Sequence, residues 1–250
     1  MAEKKTVIVR VKRQASPEAA AGWEEYELPW RPSMNVIICL RDIAEHPVTR
    51  DSKQTTPVSY DANCLEEVCG ACAMIVNGRP RQACSALVDT LQQPIRIEPL
   101  TKFPLVRDLT VDRDSMFRNL KRMKAWVPID GTYDLGEGPR MSADQQEKAY
   151  PLSRCITCGN CLEVCPQVNQ HSQFVGAAII SQVRLFNMHP TGAMHARERL
   201  DAVMGAGGVA DCANARNCVE VCPKDIPLTE SIADVNRQAL KQAVLGWLFG

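Results

Sequence analysis

Cys155-Ile-Thr-Cys158-Gly-Asn-Cys161-Leu-Glu-Val-Cys165-Pro166 is the stretch on which the reading of this chain turns. Its spacing, C-x2-C-x2-C-x3-C-P, crowds three thiols into adjacent turns of backbone and sets a fourth just beyond them. Thiolates are soft, anionic ligands, and this is a spacing by which iron–sulfur clusters are held. Two further runs flank it. Upstream stands Cys64-x4-Cys69-x2-Cys72-x11-Cys84, and downstream stands Cys212-x5-Cys218-x3-Cys222-Pro223. Of the twelve cysteines, only Cys39 is left outside the three runs.

A disulfide framework is the competing reading. Such frameworks belong to short secreted chains that cannot build an adequate core. This chain has 250 residues, enough for two domains. It opens Met1-Ala-Glu-Lys-Lys5 and runs into Thr6-Val-Ile-Val-Arg10 without an apolar core or small-residue cleavage site, so no secretory signal is expected. Cysteines at x2 spacing also share one turn, which suits a metal better than a bridge. Lys plus Arg and Asp plus Glu both number 29, and this zero formal charge argues against a nucleic-acid binder. No stretch qualifies as a membrane span. Gln167 to Val183 carries no formal charge but is broken by Asn169, Gln170, His171, Ser172 and Gln173, and the apolar stretch Ala243–Gly250 is too short. A soluble chain is expected, meeting any membrane through a partner.

Working outward from the cysteines, residues 1–104 read as one small domain. Val7, Val9 and Val11 alternate with polar neighbours in Thr6–Lys12, the period of a half-buried strand, and Glu24–Leu28 is its expected hairpin partner. Asn35 is placed to cap a helix over Val36–Glu45, which ends before Pro47. Cys39 falls on the apolar face of that helix as a small buried hydrophobe. Ala73–Val76 and Pro80–Ala83 flank Asn77-Gly78, which predicts a type I′ hairpin because both residues tolerate positive φ. Ile95–Leu100 is the expected last strand, completing a β-grasp sheet.

Residues 105–150 are expected to form a helical connection and linker. Leu109, Phe117, Leu120 and Met123 recur at helical spacing within Leu105–Trp126, Pro128–Arg140 reads as a linker, and Ser142 with Gln145 makes a capping box. Residues 151–250 are expected to be helical, over Phe174–Met188, Ala193–Met204 and Ser231–Phe249. The last of these is expected to be capped by Thr229 and to carry Ile232, Val235, Ala239, Ala243, Trp247 and Leu248 on one face. The predicted class is α+β: an N-terminal β-grasp domain of the plant-type ferredoxin kind, then an all-α domain of the bacterial ferredoxin kind.

Cys64, Cys69 and Cys72 have the spacing of the three-ligand loop of a plant-type [2Fe–2S] cluster. Gly70 permits close backbone approach, and main-chain N–H groups there can bond sulfur. Cys84, at the far end of the Asn77-Gly78 hairpin, is expected to fold back as the fourth ligand. In bacterial two-cluster ferredoxins the last cysteine of each run ligates the other cluster. That crossover assigns Cys155, Cys158, Cys161 and Cys222 to a [4Fe–4S] cluster, and Cys165, Cys212 and Cys218 to a second site. Ala215 stands where a further thiolate belongs, so the second site is expected to hold [3Fe–4S].

The three runs in this order resemble the iron–sulfur subunits of succinate dehydrogenase and quinol:fumarate reductase. The likeness covers nearly the whole chain, including Pro104–Leu109 and Ser153–Cys158. The resemblance implies a three-cluster relay with no catalytic residue of its own. Electrons would arrive from the covalently bound FAD of a flavoprotein subunit and leave to a quinone where this subunit meets a membrane anchor, on the cytoplasmic face. Pro166, Ala213 and Ala215 flank ligands of the last cluster and are expected in the quinone's vicinity.

Ubiquinone-using members tend to place tryptophans after Cys-Pro and a histidine after the first cysteine of the third run. Here stand Val168, Asn169 and Gln170, and Ala213. Pro166–Asn169 and Gln182–Met194 are instead similar to menaquinone-linked members whose single anchor holds haem b. Arg184, Asn187 and His189 read as helix-end and capping groups. His46, His171, His189 and His195 share no ligand spacing, and Trp23, Trp30, Trp126 and Trp247 read as packing or interface residues. The rivals are the iron–sulfur subunit of a fumarate reductase or other flavoprotein dehydrogenase, and a free ferredoxin-like carrier. Cys-Cys-Gly repeats, common in other such dehydrogenase subunits, are absent from the sequence, and a free carrier would be shorter and more acidic.

Overall fold

The computed structural model describes residues 5–128 and 140–249. The expected linker lies outside the described residues apart from Pro128 and Arg140, as do the first four residues. The chain divides into two compact units, Met1–Arg113 with Cys158–Glu163, and Asp114–Thr157 with Val164–Gly250.

The first unit is built on β1 (Thr6–Arg13), β2 (Gly22–Pro29), the helix α1 (Val36–Glu45), β3 (Ala73–Val76), β4 (Arg79–Gln82) and β5 (Ile95–Glu98). The strands form one sheet in the order β2-β1-β5-β3-β4. β1 runs antiparallel to β2, with Val9 opposite Tyr26, and parallel to β5, with Val9 opposite Ile95 and Val11 opposite Ile97. Alternation sends Val7, Val9 and Val11 to one face, where they pack with Ile95, Ile97 and the apolar stripe Val36, Cys39, Leu40 and Ile43 of α1. The β3–β4 turn has φ of 50° at Asn77 and 78° at Gly78, as the hairpin reading requires.

Asn35 caps α1, its Oδ1 accepting from Ile38 N at 2.9 Å, while its Nδ2 donates to Cys84 O at 2.9 Å. Such a cap is worth about 0.5–2 kcal/mol, and here it also fixes the backbone of a candidate ligand. The same side chain that starts the helix thereby holds the end of the hairpin.

Residues 105–111 depart from the expected helix. They form a short ribbon, β6 (Leu105–Arg107) against β7 (Thr110–Val111), and helix α2 starts only at Asp114 (Asp114–Arg122). Asp108 is the cause. Its carboxylate, 2% exposed, accepts from Arg13 Nε at 3.1 Å, Gln14 N at 3.0 Å and Ser59 N at 3.0 Å, and its φ is 48°. Three bonds to distant segments fix a turn that helical spacing cannot override.

The second unit continues from α2 through α3 (Ala143–Ser153), whose Ser142 and Gln145 form the expected capping box. The short helix α4 (Asn160–Glu163) belongs to the first unit. α5 (Ala177–Met188), α6 (Ala196–Met204), the single turn α7 (Asn217–Glu220) and α8 (Leu228–Phe249) complete the second. α5 packs against α8, α3, α2 and α6, burying Ile179, Ile180, Val183, Leu200, Val203, Val235 and Ala239 among neighbouring apolar groups. α8 begins at Leu228, so Thr229 lies inside its first turn rather than capping it. Val235 and Ala239 turn inward and Ile232 is half-buried, while Ala243, Trp247 and Leu248 are exposed.

Arg184 and Asn187 are not caps. Arg184 pairs with Asp234 at 3.1 Å and Asn187 donates to Gln238 at 3.1 Å, lacing α5 to α8. Only His189 matches the capping reading, ending α5 with its Nδ1 accepting from Gly192 N at 3.2 Å. Among the described residues, no helix is long and apolar enough to cross a membrane.

Cys39 has no exposed surface, and burial pushes its thiol up to about 12, with Asp42 adding to the effect. Cys39→Ser is expected to cost about 1–3 kcal/mol from burying a hydroxyl, read by urea titration. The two-iron optical and EPR signals should survive; their loss would make Cys39 a ligand.

Candidate metal centres

The first cysteine loop is a cradle of N–H groups. Leu65, Glu67 and Gly70 have φ of 61°, 56° and 73°. Left-handed residues at such short intervals turn successive amides inward, a nest that attracts anions. Glu66 N, Val68 N and Cys69 N lie 3.4, 3.3 and 3.3 Å from Cys64 Sγ and donate to it. Cys64 N and Ala71 N donate to Cys69 Sγ at 3.5 and 3.4 Å. Donors favour the charged form, so the amides of Glu66 and Val68 bring the Cys64 thiol down to about 7.

Cys72 and Cys84 sit at the buried base of the β3–β4 hairpin, where Ala83 N donates to Cys72 O at 3.0 Å. Burial, with the adjoining Cys72 thiol second, pushes Cys84 up to about 12. Ser85 Oγ donates to Glu67 at 2.6 Å, fastening the hairpin base to the loop. Gln82 is wholly buried beside Cys72, and its Nε2 has no partner among the described residues. An orphaned buried donor beside Cys72 fits an anionic, sulfur-rich group.

The second run is divided: Cys158 and Cys161 lie in the first unit, Cys155 and Cys165 in the second. Three residues plant the 158–163 segment. Gly159 has φ of 89°, and a Cβ there would stand 2.8 Å from the Phe103 ring, so glycine is required. Glu163 accepts from Thr101 N at 2.9 Å, Lys102 N at 3.0 Å and Thr101 Oγ1 at 2.5 Å. Arg113 donates to Cys158 O at 3.4 Å. Between the two cysteines, the amide of Asn160 has no exposed surface, and neither Nδ2 nor Oδ1 has a partner among the described residues. That orphaned amide also fits an acceptor of the kind a cluster sulfur supplies.

In the second unit, burial raises the Cys155 thiol, the Thr157 amide opposes, and Cys222 adds to the rise. Burial likewise raises Cys218, followed by the nearby Cys165 and Cys212. Asn214 and Arg216 have φ of 55° and 66°, and Asn214 N donates to Cys212 Sγ at 3.4 Å. Cys165, Pro166, Cys212, Ala213, Ala215 and Cys218 line one cavity, with α5 and α8 contributing Ala177 and Ile232.

No disulfide joins any of the twelve cysteines. Among the described residues, no three His, Cys, Asp or Glu side chains stand close enough to hold a single metal ion. The sequence pattern missed Glu163, Gln82, Asn160 and Arg113, which act through bonds or burial that no local spacing signals.

Comparison with known proteins follows the same division. A 2Fe-2S iron-sulfur cluster binding domain matches residues 8–118, and a 4Fe-4S dicluster domain matches residues 149–226. The succinate dehydrogenase iron-sulfur subunit of Bacillus subtilis is 57% identical over 243 residues, covering 97% of this chain and 96% of that one. The fumarate reductase iron-sulfur subunit of Wolinella succinogenes is 31% identical over 219 residues, covering 86% of this chain and 89% of that one. The solved structure titled "Mycobacterium smegmatis Sdh1 complex in the apo form" contains a chain with TM-score 0.78 and 22% identity, covering 96% of this chain and 98% of that one, a likeness of fold. By fold, by cysteine loops and by sequence, the chain belongs to the family of iron–sulfur subunits of succinate dehydrogenases and fumarate reductases.

Proposed function

We propose that this chain is the electron-transfer subunit of a succinate:quinone oxidoreductase, and that it carries electrons from a flavoprotein's FAD to a membrane quinone. The observation that carries the cluster assignment is that Cys165, Cys212 and Cys218 line one cavity. The secondary influence of Cys222 on Cys155, and of Cys165 and Cys212 on Cys218, accords with it. These are the partners that the ferredoxin crossover demands. On this reading Cys64, Cys69, Cys72 and Cys84 hold [2Fe–2S], Cys155, Cys158, Cys161 and Cys222 hold [4Fe–4S], and Cys165, Cys212 and Cys218 hold [3Fe–4S]. The clusters, when bound, supply one-electron sites in series.

The chain's own residues do the rest. Inward amides from Glu66, Val68 and Cys69 neutralise part of the charge on Cys64. Burial raises the Cys84 and Cys218 thiols, and bound metal would favour their thiolate forms. The domain division that suits this work is 1–104 for the two-iron centre, 105–150 as connection, and 151–250 for the other two.

The partners are a flavoprotein bearing FAD and the succinate site, and a membrane anchor of the haem b kind, with this subunit peripheral on the cytoplasmic face. Pro166, Ala213 and Ala215 line the cavity that Cys165, Cys212 and Cys218 also line, so on this reading they flank the last centre on the side where a quinone would approach. Val168, Asn169 and Gln170 in place of tryptophans favour menaquinone. The greater identity to a succinate dehydrogenase subunit than to a fumarate reductase subunit, 57% against 31%, favours succinate oxidation as the working direction.

Iron analysis and EPR of the purified complex should give two, four and three irons at the three centres, with the near-isotropic three-iron signal in the oxidised state. Ala215→Cys should convert that centre toward four irons and lower its potential. An unchanged three-iron signal in Cys165→Ser would defeat the ligand assignment. In the same complex, Ala213→Trp should slow quinone reduction by about tenfold or more, roughly 1.4 kcal/mol in barrier. Succinate oxidation by a dye accepting at the flavin should persist. Equal loss of both rates with all centres assembled would move the quinone elsewhere.

A further inference from the structure

We propose that Arg113 is a positioning residue shared by the two-iron and four-iron ligand loops, and that its fixed charge raises the reduction potential of both centres. The inference rests on the cluster assignment above and adds a residue outside every cysteine run.

Arg113 Nη1 donates to Gly70 O at 2.6 Å and to Cys158 O at 3.4 Å, while Nη2 donates to Ala71 O at 3.1 Å. Gly70 and Ala71 are the two residues between Cys69 and Cys72. Cys158 is the second cysteine of the other run, and all these residues belong to the first unit. One side chain thus grips the backbone of two ligand loops that lie 86 residues apart in sequence from Cys72 to Cys158.

The geometry follows from the loops themselves. A left-handed residue turns its neighbours' amides toward the sulfurs and leaves carbonyl oxygens facing away. Gly70, at φ 73°, and Gly159, which follows Cys158 at φ 89°, are such residues. The outward carbonyls need donors, and a guanidinium is the one side chain whose rigid fork serves three at once. Arg113 is half-buried and stands just after β7, a strand that the Asp108 turn pins to the sheet. Its reach to the loops is therefore set by the fold.

Among the described residues, the acceptors at Gly70, Ala71 and Cys158 are carbonyl oxygens, which bring no formal negative charge against the guanidinium. Each centre becomes more negative when it accepts an electron, and a nearby fixed cation stabilises that state. A lysine would keep the charge but reach fewer oxygens.

The test is an EPR-monitored redox titration of the purified complex carrying Arg113→Gln or Arg113→Lys. In R113Q both the two-iron and the four-iron potentials should fall, while the three-iron potential stays where it was. R113K should recover part of both shifts. Assembled centres with unchanged potentials in R113Q would overturn the proposal, as would a shift of only one of the two. If R113Q does not assemble its clusters, R113K decides. A joint displacement of the two potentials from wild type supports the shared role, and unmoved potentials defeat it. A wild-type complex lacking a two-iron or four-iron signal would instead sink the cluster assignment, independently of Arg113.

Discussion

Sulfur anions taken out of water need hydrogen-bond donors, and this chain supplies them from its own main chain. Each cysteine run carries left-handed residues at short intervals: Leu65, Glu67 and Gly70 in the first, Thr157 and Gly159 in the second, Asn214 and Arg216 in the third. For a residue with a side chain that conformation costs about 1–2 kcal/mol. Six bonds from main-chain amides to Cys64, Cys69 and Cys212 stand against that cost. Loops strained in this way persist only if their surroundings hold them, and much of the fold can be understood as that support.

Most of the supports are side chains reaching backbone, and one, Ser85 to Glu67, joins two side chains. Asn35 holds Cys84 while starting α1, Ser85 holds Glu67, Glu163 holds Thr101 and Lys102, and Arg113 holds Gly70, Ala71 and Cys158. Each joins a ligand loop to a regular element or to another loop. A side chain-to-backbone bond of this kind fixes position without demanding a particular partner residue. The sheet and helices can therefore vary in sequence as long as their course is kept, which agrees with a shared fold at 22% identity.

The same fact explains what could be read from the sequence and what could not. The Asn77-Gly78 turn, the Asn35 cap and the Ser142 box are local patterns, and the structure realises each. The segment 105–111 was misread because Leu109 keeps helical spacing with Leu120 and Met123, while the decisive residue, Asp108, acts on Gln14 and Ser59 far away in the chain. Arg184 and Asn187 look like helix-end groups but reach across to Asp234 and Gln238. Gln82 and Asn160 carry no pattern at all; their meaning lies in being buried with donors unmet among the described residues. Periodicity also overreached on α8, where the apolar stripe runs on past Ala239 although Trp247 is 83% exposed.

The most economical difference in the molecule is the one at Ala215. Its neighbours Asn214 and Arg216 are both left-handed, and Asn214 still gives its amide to Cys212 Sγ. The backbone of the third run therefore keeps the inward-turned course of a cluster loop through the very residue that lacks a thiol. On the proposed assignment, one side chain rather than a different loop separates a three-iron from a four-iron centre. On that assignment the position without a thiol lines the same cavity as Pro166 and Ala213, the side from which a further acceptor would approach the last centre.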